Sequence, residues 1–128
     1  MHALSHPIGA LAGSHHGLTN AVLMPYVLAF NRPAIKDRIA RLAAFVGLPD
    51  PSFAGFLDWI VELRRDIGIP ESLSALDISE DRLDALARMA ELDPSAAGNP
   101  RPFGAAEARQ VLEAAMAGRI EGFETARP

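Results

Sequence analysis

The chain has no cysteine among its 128 residues. It therefore forms no disulfide and offers no thiolate as nucleophile or metal ligand. Basic residues are scattered among acidic ones, with no lysine- or arginine-rich face. With a net charge of -4 and a pI near 5.5, nucleic acid is not the expected partner. The longest apolar run, Ala21 to Phe30, is broken by Pro25. It is about half of the roughly 20 residues a membrane span needs, so no membrane partner is expected. No basic region followed by an apolar stretch opens the chain, which argues against a secretory leader. Together these absences fit a cytoplasmic protein. No segment alternates apolar and polar residues, so no strand is predicted. There is no internal repeat and no low-complexity segment.

What is present is helical periodicity and enough apolar residues, 49%, to build one core. The expectation is a single all-α domain over residues 1–128, of about six helices and no sheet. His2 to Ala12 reads as a short helix broken by Gly13 and Ser14. His16 to Phe30 reads as a second, apolar on nearly every side and therefore central, with Pro25 expected to kink it. Ile35, Ile39, Leu42, Ala43 and Val46 form the stripe of a third, with Pro33 in its first turn and Gly47 and Pro49 at its end. Asp50 is the expected N-cap of the next helix, with Pro51 at its first position. Its stripe is Phe53, Phe56, Leu57, Ile60, Leu63 and Ile67, closed by Gly68 and Pro70. Ser79 is the expected cap of a helix carrying Leu83, Leu86, Ala87 and Ala90. Pro94 to Gly104 reads as an ordered loop, Ala105 to Ala117 as the last helix, and the tail from Glu121 as polar and frayed.

All four histidines, His2, His6, His15 and His16, fall within the first sixteen residues. His2 and His6 are four apart and share one helix face. His15 and His16 follow a break and open the next helix. Two readings stand on spacing alone: a metal or catalytic site, or surface and core histidines with no such role. Neither a metal nor a reaction follows from the spacing.

The segment MHALSHPIGALAGSHHGLTNAVLMPYVLAFN resembles the signature of the iron-containing alcohol dehydrogenases. That pattern runs close to H-x-x-x-H-x-x-G, then PHG, N-A, L-P and F-N or Y-N. His2, His6 and Gly9 match its first part, and His16 and Gly17 its second, with His15 standing where the family usually has proline. Asn20, Ala21, Pro25, Phe30 and Asn31 match the rest. The run DPSAAGNPRPF is similar to the family's loop before its final helix, through Asn99, Pro100 and Arg101, with Ser95 where several members carry cysteine. The resemblance covers Met1 to about Gly118.

The resemblance implies the C-terminal helical domain of a two-domain enzyme that carries out reversible hydride transfer between an alcohol or aldehyde and NAD(P). It implies that His2 and His16 are two of the metal's ligands, for Fe(2+) or Zn(2+), and that His6 lies beside the reacting groups. One aspartate and one further histidine would come from a helix earlier in the family's chain. Ser95 and Asn99 are candidate substrate-pocket residues, Asn99 and Arg101 serving equally to hold the loop in shape. His15 is expected at the rim. No glycine-rich turn after a strand occurs here, so no cofactor-binding residue is assigned. The isolated chain is expected to be inactive, to bind metal weakly and to associate as a homo-oligomer through uncovered apolar surface. The competing readings are half of a split enzyme, a helical module kept for association or metal capture, and the related maleylacetate reductases.

Overall fold

The computed structural model describes residues 1–123. Among them are five α-helices, no strand, and three short 3₁₀ turns at Leu73–Leu76, Glu80–Arg82 and Pro94–Gly98. The helices are α1 (His2–Ala12), α2 (His16–Phe45), α3 (Phe53–Asp66), α4 (Leu83–Leu92) and α5 (Ala105–Ala117). Four of them bury one core. Leu4 and Ile8 of α1, Val22, Leu23, Tyr26 and Phe30 of α2, Leu86 and Ala90 of α4, and Val111 and Leu112 of α5 are almost wholly removed from water. The N-terminal half of α2 is thus the central element, as its apolar circumference requires. Helix α3 packs along α2 outside this cluster.

The count is five rather than about six because the second and third expected helices are one. Helix α2 runs unbroken through Pro25 and Pro33 for 30 residues. A proline within a helix lacks the N–H and crowds the preceding turn. Here the carbonyls three residues before the two prolines, those of Val22 and Phe30, accept from arginines on other elements. Arg64 Nη1 donates to the Val22 carbonyl at 3.1 Å, and Arg101 Nη1 donates to that of Phe30. Each guanidinium also lies over an aromatic ring of α2, 5.7 Å from the Tyr26 centre and 4.3 Å from that of Phe30. External donors therefore reach α2 one residue beyond the carbonyls that the prolines leave without an N–H, those of Ala21 and Ala29.

Three local expectations are corrected. Ser52, not Asp50, caps α3: its Oγ accepts from the Gly55 N–H at 3.0 Å. Asp50 lies against Gly55 so closely that a Cβ there would fall 2.2 Å from the Asp50 carbonyl oxygen. Ser79 does not cap α4, because its hydroxyl donates to the Asp81 carboxylate and a 3₁₀ turn intervenes. The tail from Glu121 is not wholly free. Phe123 meets Phe30 edge-on at 6.1 Å, burying apolar area that holds the segment down. Expected fraying beyond Phe123 lies outside the described residues.

Candidate metal and active site

Helix α1 ends on Gly13 in the left-handed conformation (φ 64°), its N–H bonded to the Gly9 carbonyl at 3.0 Å. A side chain would be strained there. The reversal lays the start of α2 against the first turns of α1, and three of the four histidines meet. Ring centres lie 5.2 Å apart for His2 and His16, 5.5 Å for His6 and His16, and 5.7 Å for His2 and His6. All three rings are exposed on one face. His15 is not in the group. It is the N-cap of α2, its Nδ1 accepting from the Leu18 N–H at 3.4 Å.

Polar neighbours hold the rings. Ser5 is buried beneath them. Its Oγ donates to the His2 carbonyl at 3.2 Å and lies 3.4 Å from His16 Nδ1. A hydroxyl whose proton is spent on a carbonyl can only accept from the ring, which places the His16 proton on Nδ1. His16 Nε2 is then the acceptor, 3.0 Å from Asn20 Nδ2. The Asn20 Oδ1 is buried without a hydrogen-bond partner. His6 Nδ1 lies 2.8 Å from the Asp93 carboxylate, whose other oxygen accepts the Ser95 N–H at 2.8 Å. Burial pushes the Asp93 carboxyl up. The hydrogen bonds from His6 and Ser95 and the charge of His6 outweigh this and hold it below the usual carboxylate value.

A cavity of about 300 Å³ opens beside His2, lined by Val27, Phe30, Asn31, Ser95, Asn99 and Phe103 among others. The two residues expected in a pocket, Ser95 and Asn99, are thus brought to one hollow next to a candidate ligand. They differ in availability. Asn99 and Asn31 exchange two amide hydrogen bonds of 2.9 Å, and Asn99 Nδ2 also donates to the Arg101 carbonyl at 2.9 Å. Both amide protons of Asn99 are therefore committed to holding the loop on α2. Ser5, Asn20, Asn31 and Asp93 carry roles that the sequence did not assign. Asn20 and Asn31 stood out only as matches to the family pattern, and Asp93 left a local signal, an aspartate directly before Pro94 at the start of a turn.

Imidazoles suit divalent first-row metals. Two imidazoles bound to one ion through nitrogen–metal bonds of about 2.1 Å place their ring centres on the order of 5 Å apart, close to the 5.2 Å between His2 and His16. Among the described residues, however, no three histidine, aspartate or glutamate side chains are arranged to hold a metal. The residues present fit one half of a donor set.

The chain aligns at 37% identity over 125 residues with 4-hydroxybutyrate dehydrogenase of Cupriavidus necator, covering 91% of this chain and 32% of that protein. It is 36% identical to maleylacetate reductase of Rhizobium sp. (strain MTP-10005), over 99% of this chain and 32% of the other. The fold superposes on a crystal structure of 1,3-propanediol oxidoreductase with a TM-score of 0.84 at 32% identity, covering 90% of this chain and 32% of that one. Residues 1–116 match the Fe-containing alcohol dehydrogenase family, C-terminal. The chain belongs to that family. It spans about a third of the length of the relatives it matches. The helical fold described above is thus the C-terminal domain typical of that family, and the histidine cluster at α1 and α2 falls within the matched residues.

Proposed function

We propose that this chain is the metal-holding helical part of an iron-dependent, NAD(P)-linked alcohol dehydrogenase that interconverts alcohols and aldehydes by hydride transfer. The observation that carries the proposal is the meeting of His2, His6 and His16 beside the cavity that Ser95 and Asn99 line. His2 and His16 would hold Fe(2+), or Zn(2+), which such donors also bind well. A divalent metal supplies polarisation of the substrate oxygen, and NAD(P) supplies the redox chemistry. His6 relays the proton of the alcohol or orients the reactants. The Ser95 hydroxyl offers a hydrogen bond to substrate at the cavity wall. Asn99 keeps that wall in place, while Val27, Phe30 and Phe103 exclude water from it.

Two donors are fewer than the three or four of a stable site. The remaining donors and the nucleotide site lie outside residues 1–128 in this reading, so the isolated chain binds metal weakly and does not turn over alcohols. Apolar side chains such as Phe45 (89% exposed) and Leu92 (82% exposed) favour association into a homo-oligomer. A second substrate class, that of maleylacetate reductase, is supported by 36% identity over 99% of this chain. Nothing favours nucleic acid, and no helix among the described residues is long and apolar enough to cross a membrane. A cytoplasmic location belongs to the same proposal.

Cobalt(II) titration followed by visible absorption tests the metal assignment. Weak binding is expected, lost in H2A and in H16A and kept in H15A. Equal binding by all three variants would refute it. Turnover is tested by adding a separately produced N-terminal two-thirds of one of the relatives, with iron or zinc and NAD(P)H. Activity with alcohols or aldehydes only in the mixture is expected, and activity of the chain alone would overturn the reading.

A further inference from the structure

We infer that Asp93 is a positioning residue for His6: its carboxylate takes the Nδ1 proton and so leaves Nε2 as the atom that accepts and returns a proton. The inference rests on the role proposed for His6 and adds the group that sets its tautomer.

The geometry is specific. Asp93 Oδ2 lies 2.8 Å from His6 Nδ1, across 87 residues of sequence, while Oδ1 accepts the Ser95 N–H at 2.8 Å. The carboxylate therefore faces two donors at once, one from α1 and one from its own turn. An ionised carboxylate has no proton to give, so the bond fixes hydrogen on Nδ1. The depressed value of Asp93 keeps it ionised wherever imidazole is neutral. Asp93 is largely shielded from water, with 12% of its side chain exposed, and a charge-assisted bond is strengthened there. The same carboxylate anchors the Pro94–Gly98 turn, which carries Ser95 and leads to Asn99. One side chain thus ties the pocket wall to the imidazole and fixes which nitrogen is free.

A turn cap alone would not need the charge, because asparagine caps as well as aspartate. In Asp93→Asn, keeping the Ser95 bond turns the amide oxygen toward Ser95 and the amide nitrogen toward His6. That nitrogen donates to Nδ1 and forces the proton onto Nε2. The experiment is a long-range ¹H–¹⁵N correlation spectrum of the ¹⁵N-histidine chain, metal-free in chelator, at a pH where imidazoles are neutral. His6 is assigned from the signal missing in H6Q. The expected result is the Nδ1–H tautomer in the native chain and the Nε2–H tautomer in D93N, with helical circular dichroism unchanged. D93S, whose hydroxyl also caps the turn but does not reach the ring, is expected to lose the Nδ1–H tautomer as well. An Nε2–H tautomer in the native chain, or an unchanged Nδ1–H tautomer in D93N or D93S, overturns the inference. The measurement uses neither metal nor cofactor, so a failure of the dehydrogenase reading would leave its result standing.

Discussion

Removing Asn31 tests whether the pocket wall is held by the amide pair or merely rests near it. Asn31 is 3% exposed, and its side chain exchanges two hydrogen bonds of 2.9 Å with Asn99. Asn31→Ala deletes both. Each is worth about 1 kcal/mol net, and stranding the Asn99 partner atoms adds a desolvation cost of about 1–3 kcal/mol if they stay buried. Asn99 is only half-buried, so water relieves part of that cost, and the total comes to about 2–3 kcal/mol. For a domain of this size the melting temperature should fall by roughly 10 °C. Asn99→Ala should cost slightly more, because it also releases the Arg101 carbonyl. Urea denaturation followed by circular dichroism gives the free energies, and the N31A/N99A double variant closes the cycle. Coupling of about 1–2 kcal/mol is expected between the two positions. Single-variant losses below about 0.5 kcal/mol, or additive effects, would refute the latch, because solvent-exposed amides show such values.

Arg101→Ala should destabilise by about 2 kcal/mol in the same assay, through the lost bond to the Phe30 carbonyl and the lost packing over the Phe30 ring. Tyr26, the single tyrosine, should titrate above the ordinary value in a spectrophotometric titration, because burial disfavours the phenolate more than the neighbouring Arg64 favours it. Its folded value exceeds the unfolded one, so its contribution is whole below about pH 10 and is lost as pH climbs through the folded value. Phe45→Lys should move the chain toward monomer in size-exclusion chromatography, and an unchanged elution volume would clear that surface of a part in association. Asn20→Ala should tighten zinc binding about fivefold by calorimetry, since the Asn20 amide competes for His16 Nε2 at a cost of about one hydrogen bond. Weaker binding in N20A would mean that the amide instead braces the ring.

The helices were legible wherever one signal acted alone. Helices α1 and α5 begin and end where periodicity places them, and Gly13 closes the first as expected. The failure at Pro33 has a physical cause. Proline suits a first helical turn, so Pro33 reads as a new start. Arg101, nearly seventy residues on, bonds the α2 backbone just before Pro33, and no local pattern announces a donor at that distance. Phe123 is a similar case. Its neighbours offered no apolar pattern, and nothing local marked the return of the segment to the core against Phe30.

The site divides along the same line. The histidines were visible because the reversal that joins them takes only a few residues, and one glycine suffices to make it. What orients them was less visible. Ser5 lies between two of them in sequence, yet a serine inside a helix has a local outlet, bonding a carbonyl one turn back. It does so here, to His2, and only the arrival of α2 turns the same hydroxyl toward His16. Asp93 reads locally as a cap, which it is, and its second oxygen is free for His6 only because α4 packs on α1. The hydrogen-bonding state of the ring nitrogens is therefore set by tertiary packing, whereas which histidines meet is set by local sequence. It follows that substitutions on the face of α4 that packs on α1 should disturb the His6 tautomer while leaving the spacing of His2 and His16 intact.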